Sequence, residues 1–359
     1  MRIKRDFIGM FDVLKGILML LIILVHSVEF ASDTMMADPA VGLLLQFFRY
    51  SAVMMGLFFV ISGYSFQPAE NLWLYIKKQF KMFLLPYGII IVASAFLRCV
   101  PALAAGEFRI QDISVVLVGG LYGAIVPIEL FGVWGSGVVA LWFLPAFFFS
   151  NVIYQLIRRI KNKKLAIALI WILSVGAVCF SSVYQVQLPW CLVQSCAALG
   201  FLETGRLLKK YKLLYQKINH FYILGALAVW ILSHVFLTAN MAANEWSYGP
   251  LSYAAAFPVC VILLNLYMRT GFAAARFTGL LSYLGRYSLW ILFLHGAELL
   301  IVPWDRRLGM GFSVLGLSPI VTVGCAFVLR VVVICLVIWA WNAVMRYAAR
   351  RRIGSAISG

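Results

Sequence analysis

Four ionisable side chains interrupt the apolar stretch FDVLKGILMLLIILVHSVEF, which runs from Phe11 to Phe30: Asp12, Lys15, His26 and Glu29. Lys15 and His26 are eleven residues apart. In a helix that is nearly a whole number of turns, so both fall on one face, roughly 16 Å apart along the axis. Asp12 stands three residues before the lysine and Glu29 three after the histidine, close to the same stripe. An imidazole can take the proton of a hydroxyl near neutral pH and hand it on. A carboxylate one turn further can orient that ring and stabilise its protonated form. A lysine held in a partly dry place binds phosphate well. The spacing therefore suits proton transfer at one end of a helix and anion binding at the other.

Ionisable groups inside membrane spans cost about 2.5–3.5 kcal/mol each on insertion scales, so they face a cavity or a partner. Plainer readings exist for each one alone. Lys15 can snorkel to the surface, His26 can bond a neighbouring backbone carbonyl, and Glu29 can touch water at the interface. The common stripe favours a polar groove along the first helix.

The rest of the chain must supply the walls of such a groove. It has 359 residues, 64% hydrophobic and 12% charged, with a mean hydropathy of +0.95. Apolar runs of span length recur from end to end, which is the pattern of an all-α, polytopic transmembrane bundle in a cell membrane, surrounded by membrane lipid. The runs cover about 8–29, 41–66, 82–105, 134–157, 165–183, 188–208, 221–239, 251–268, 280–302 and 318–345. The first is too long and too charged for a cleaved signal peptide. Net charge is +17. Its basic residues gather in short loops, which points to membrane topology rather than to nucleic acid. The glycine-rich segment 112–130 is also apolar. If it crossed, every later basic loop would change side. The charge pattern thus predicts about ten spans, both termini cytoplasmic, with 112–130 re-entrant or lying on the outer surface. A single transmembrane domain over 1–359 is expected. The seven cysteines show no metal or disulfide spacing, and no metal is expected.

Five stretches, in this order, resemble the acyltransferase family 3 membrane proteins. FDVLKGILMLLIILVHS is similar to that family's first helix, where Arg or Lys precedes a histidine by eleven positions; Lys15 and His26 fill those places. LFFVISGYSF (Leu57–Phe66) resembles its second-helix signature, and IKKQFKMFLLPY (Ile76–Tyr87) its basic approach to a proline. LWFLPAFFF (Leu141–Phe149) matches its Trp-Phe-Leu helix, and LGRYSLWILFLHG (Leu284–Gly296) its late helix with Ser288 and His295. The resemblance implies transfer of an acyl group, often acetyl, from acyl-CoA to a carbohydrate. Acceptors in the family include envelope polysaccharides, lipopolysaccharide and exported small molecules. Extra hydrolase-like or racemase domains known in some members are not expected here.

On that footing His26 is the candidate general base and Glu29 its orienting carboxylate. Lys15 is a candidate for holding the phosphates of acetyl-CoA or another acyl-CoA donor, with Lys77, Lys78 and Lys81 at the same mouth. Positive-inside bias alone also accounts for those three. His295 is expected to line the cavity with His26 and bind the acceptor, or carry a second proton, or simply pack helices. Ser288 and Trp142 are further acceptor-binding candidates, Trp142 by stacking on a sugar ring; an aromatic-belt tryptophan is the plainer reading. Gly63 in FVISGY allows close approach of a helix or of the donor. Arg49 and Arg330, inside apolar runs, need partners or water, whereas Arg98 and Glu203 are expected to reach water at span ends. The expected acceptor is a carbohydrate or lipid-linked glycan. A polytopic transporter of a glycan or small molecule is the competing class, although no internal repeat supports it. Oligomeric state is left open.

Overall fold

The computed structural model describes residues 9–29, 38–48, 51–107, 109–184, 186–270, 278–302 and 314–357. The chain opens with α1 (Asp12–Glu29), then α2 (Pro39–Phe48) and α3 (Ala52–Tyr64). The helix α4 (Leu72–Gln79) passes through a π-helical turn, Phe80–Leu84, into α5 (Leu85–Ala104). Next come α6 (Ile110–Tyr122), a hairpin of β1 (Ile128–Leu130) and β2 (Val133–Gly135), and a 3₁₀ turn, Val139–Trp142, that feeds α7 (Phe143–Arg158). Then follow α8 (Lys163–Tyr184), α9 (Leu192–Lys210) and α10 (His220–Phe236), and a short ladder of β3 (Ala239–Asn240) and β4 (Glu245–Trp246). The last helices are α11 (Pro250–Arg269), α12 (Gly279–Arg286), α13 (Ser288–Ile301) and α14 (Pro319–Ile357).

Every one of the apolar runs contains helix, and the fold is an all-α membrane bundle. Among the described residues six helical segments have the length and apolar composition to cross a bilayer, including Leu72–Val100, Lys163–Tyr184 and Pro319–Tyr347. The first helix is 18 residues long but carries Asp12, Lys15 and Glu29, so its polar stripe keeps it out of that set. The run at 280–302 is broken at Tyr287, between α12 and α13. The one at 82–105 starts earlier, at Leu72, and widens into its π turn just ahead of Pro86. A proline ring clashes with the carbonyl four residues back and brings no N–H, and a π turn relieves both demands.

The segment 112–130 folds as α6 followed by the hairpin. Asp112 accepts a hydrogen bond from the Arg109 N–H at 3.0 Å at its start, and Gly123 ends it in a left-handed conformation (φ 72°, ψ 37°). Its glycines are packing devices. A Cβ on Gly119 would collide with the Ser136 carbonyl just beyond β2, while the Gly120 carbonyl accepts the Tyr87 hydroxyl at 2.6 Å.

Small residues also set the two closest helix pairs. Gly63 of α3 lies against the Leu202 backbone of α9, and Gly205 of α9 against the Val60 backbone of α3, so any side chain there would strike backbone. In the same way Gly16 of α1 meets Leu281, and Gly285 of α12 meets the backbone of Asp12. The glycine in FVISGY thus serves a neighbouring helix. A buried charge elsewhere in the bundle is paired. Glu203, expected near water, is fully buried (0% exposed). It takes the Tyr154 hydroxyl at 2.6 Å and the Arg206 guanidinium at 2.5 and 2.9 Å. Its helix packs on α7 as well as α3, which closes the route to solvent that its position in sequence suggested.

Candidate active site

The polar stripe of α1 forms one wall of a cavity of about 340 Å³. Lys15, Met19, Ile22, Val25, His26 and Glu29 all face it, at the three- and four-residue steps of a single helix face. Opposite stand Met54, Met55, Phe58 and Ser62 of α3, Phe83 from the π turn, and Trp142, Phe143 and Phe147 around the start of α7. Ser288, Leu289 and Leu292 of α13 and Asn240 of β3 are also part of the lining. The wall is therefore apolar between two polar ends. Each feature that aims these residues is local. The glycine contacts bring α12, and with it Ser288 at the start of α13, against the foot of α1. The π turn brings Phe83 inward, where its ring packs 5.0 Å from that of Phe147. Ser62 is fixed by its hydroxyl, which donates to Asn151 Oδ1 at 3.0 Å.

At one end Lys15 Nζ pairs with Asp12 Oδ1 at 2.7 Å. At the other, His26 Nδ1 lies 2.6 Å from Glu29 Oε2. A carboxylate there accepts, so Nδ1 carries the hydrogen, and in the neutral ring the lone pair is on Nε2. Behind His26 sits a second pair of the same design. His295 Nδ1 is 2.9 Å from Glu298 Oε1, and the two imidazole centroids are 5.3 Å apart with their planes at 45°. The Arg330 guanidinium meets Glu298 Oε1 through Nε at 3.1 Å and donates from Nη1 to Ser27 Oγ at 2.9 Å. Ser27 in turn donates to the Ile23 carbonyl at 2.7 Å.

The structure brings Lys15, His26, Glu29, Trp142 and Ser288 to one cavity. Trp142 is buried there, 4% exposed, rather than standing in an interfacial belt. Of the readings open for His295, the structure places it with helix packing rather than on the lining. It is fully buried and lies behind the wall, not on it, because α13 turns only Ser288, Leu289 and Leu292 to the cavity. Lys77, Lys78 and Lys81 are exposed on α4 and the π turn, outside the lining. Arg98 is exposed, and Arg49 lies outside the described residues. Sequence reasoning missed Ser27 and the link from Glu298 to Arg330. A lone hydroxyl beside His26 was a visible signal, but its partner is 303 positions away. Among the described residues no group of three or more His, Cys, Asp or Glu is placed to hold a metal ion.

The sequence model of acyltransferase family 3, described as an acyltransferase domain, matches residues 8–339. The chain belongs to this family. The match spans the whole cavity and every element that lines it, and members of the family are acyltransferases. The protein is thus a membrane acyltransferase, and the Lys15–His26 stripe lies near the start of the matched region. No curated protein and no solved structure matches the chain.

Proposed function

We propose that the protein is an O-acyltransferase of the cell membrane, with about ten spans and both termini cytoplasmic. It transfers an acyl group, acetyl in the first instance, from cytoplasmic acyl-CoA to a hydroxyl of a carbohydrate or lipid-linked glycan of the cell envelope. One observation carries this reading. A histidine with a free Nε2, oriented by a carboxylate, shares a cavity with a lysine about three helical turns away.

The thioester supplies an activated carbonyl carbon; a sugar hydroxyl is a poor nucleophile towards it at neutral pH. Glu29 holds the His26 ring through Nδ1, leaving Nε2 to take the hydroxyl proton as the oxygen bonds to that carbon. The C–S bond then breaks, and His26 returns the proton to the departing sulfur, giving the ester and free CoA thiol. Lys15 holds donor phosphates at the far end, so the long pantetheine arm spans the apolar middle of the cavity. There Met54, Phe58, Phe143 and Phe147 keep water from the thioester. Trp142 offers a flat face for a sugar ring; the Ser288 hydroxyl, towards the Lys15 end, offers a hydrogen bond to the substrates lying in the cavity. The exposed lysines 77, 78 and 81 add a positive approach for the donor.

The decisive test is acyl transfer by protein purified in detergent or nanodiscs with radiolabelled acetyl-CoA, together with mass spectrometry of envelope glycans with and without the protein. His26→Ala is expected to remove acyl transfer by about 10³-fold while the protein still accumulates in the membrane. Full activity in that variant would eliminate His26 as the base, and an untouched thioester with labelled glycan crossing the bilayer would favour a carrier instead.

A further inference from the structure

Arg330 is the largest fully buried side chain among the described residues. It sits about a third of the way along α14, flanked by Leu329 and Val331. A guanidinium inside a membrane helix is expensive, and it persists where it does something. Two of its partners bear on the site in different ways. One, Glu298, already holds the His295 ring on α13. The other, Ser27, is the next residue after His26 on α1. The Ser27 hydroxyl donates its hydrogen to Ile23, so its lone pair is what remains for Arg330. One planar cation therefore ties together the two helix turns that carry the two imidazoles, whose ring centres stand 5.3 Å apart.

The geometry points to Arg330 as a positioning residue for acyl transfer. Its fork fixes the His26 turn of α1 against the Glu298–His295 turn of α13, so that His26 meets the acceptor hydroxyl at one distance and angle. Glu29 sets the rotation of the His26 ring; Arg330 sets where the ring's backbone stands. Arginine suits the task because its charge is spread over a rigid plane, one edge of which pairs with Glu298 while Nη1 donates to Ser27, whereas an ammonium is a compact charge on a flexible stem. This inference rests on the reading of His26 as the base. It adds that α14, which contributes no residue to the cavity lining, is part of the machinery.

A misplacement of about 1 Å in a reacting group lowers turnover by about 10²-fold. Arg330→Met is therefore expected to lower kcat for acetyl transfer by about 10²-fold, with KM for acetyl-CoA within about twofold of the parent. Arg330→Lys should recover part of the loss. The double variant Arg330→Met with Glu298→Gln restores charge balance without the fork, and its kcat should stay low. Ser27→Ala, a milder cut of one bond, should lower kcat by several-fold at constant KM and keeps the test alive should Arg330→Met fail to accumulate. Unchanged kcat per folded molecule in Arg330→Met, or in Ser27→Ala where the former does not accumulate, would overturn the inference. So would full recovery in the double variant, which would reduce Arg330 to a structural counter-ion. Activity surviving in His26→Ala would instead defeat the underlying reading, so the two failures are distinguishable.

Discussion

The tetrapeptides HSVE (26–29) and HGAE (295–298) are the same device in two settings. In each, a histidine Nδ1 meets the carboxylate three residues on, at 2.6 Å in the first and 2.9 Å in the second. What differs is the surroundings. The His26 and Glu29 side chains are 16% and 48% exposed, and both face the cavity. Those of His295 and Glu298 are 0% and 17% exposed, with Arg330 on the carboxylate. A ring that substrate can reach, with its free nitrogen forward, is equipped for proton transfer. The same ring sealed behind it, next to a buried cation, is equipped to hold a neighbour in place. Spacing and residue type name a candidate, and the packing around it assigns the task.

Exchanging the two rings is the most severe way to break this comparison. His26→Ala removes a group that meets the acceptor, with the ~10³-fold loss expected of a missing general base. His295→Ala removes a group that meets only protein, and a loss nearer 10-fold is expected, accompanied by lowered thermal stability from the void left by a buried ring. Equal losses at unchanged stability would mean that both rings move protons. The carboxylates sharpen the contrast. Glu298→Gln leaves the Arg330 charge buried without its counter-ion, and breaking such a pair destabilises by about 3–5 kcal/mol. Its effect should show first in the unfolding temperature. Glu29→Gln, half exposed, should leave that temperature in place and lower kcat by about 10-fold or more through the loss of ring orientation. A reversal, with Glu29→Gln unfolding the protein, would contradict the division of labour between the pairs.

Much of this was legible before any coordinates. Periodicity placed Lys15, His26 and Glu29 on one face because an α-helix converts spacing directly into direction, and they do share a wall. The apolar runs located the helices for the same reason. Long-range placement was not legible. Nothing local tells that Glu203 lies against Tyr154 and Arg206, or that Arg330 reaches Ser27. Those contacts depend on which helices the glycines at 16, 63, 205 and 285 allow to touch. For His295 the sequence left lining the cavity and packing helices both open. Its three-residue offset from Glu298 was readable, but the break at Tyr287 sets the rotation of α13, and that rotation turns Ser288 to the cavity and His295 away from it. The lysines at 77, 78 and 81 read as a basic cluster, and only the fold shows them outside the lining.

The far end of the cavity offers the smallest and most discriminating effect. Lys15 faces the cavity, while Lys77, Lys78 and Lys81 stand in solvent, where ions screen a phosphate contact within about 8 Å at physiological salt. Removing Lys15 alone would strand Asp12, which is 6% exposed, and confuse binding with folding. The cleaner variant is Asp12→Asn with Lys15→Met, which takes out both charges at once. It should raise KM for acetyl-CoA by about 10-fold, equivalent to about 1.4 kcal/mol of donor binding, and leave kcat within about twofold, because the His26 end is untouched. Changing all three exposed lysines to alanine should raise KM by about twofold at low salt and by less at high salt. If the triple variant instead has the larger effect, the donor's phosphates ride on the outer lysines. The charge on α1 would then serve only to anchor the foot of the helix, and the polar stripe would owe its function to the His26 end alone.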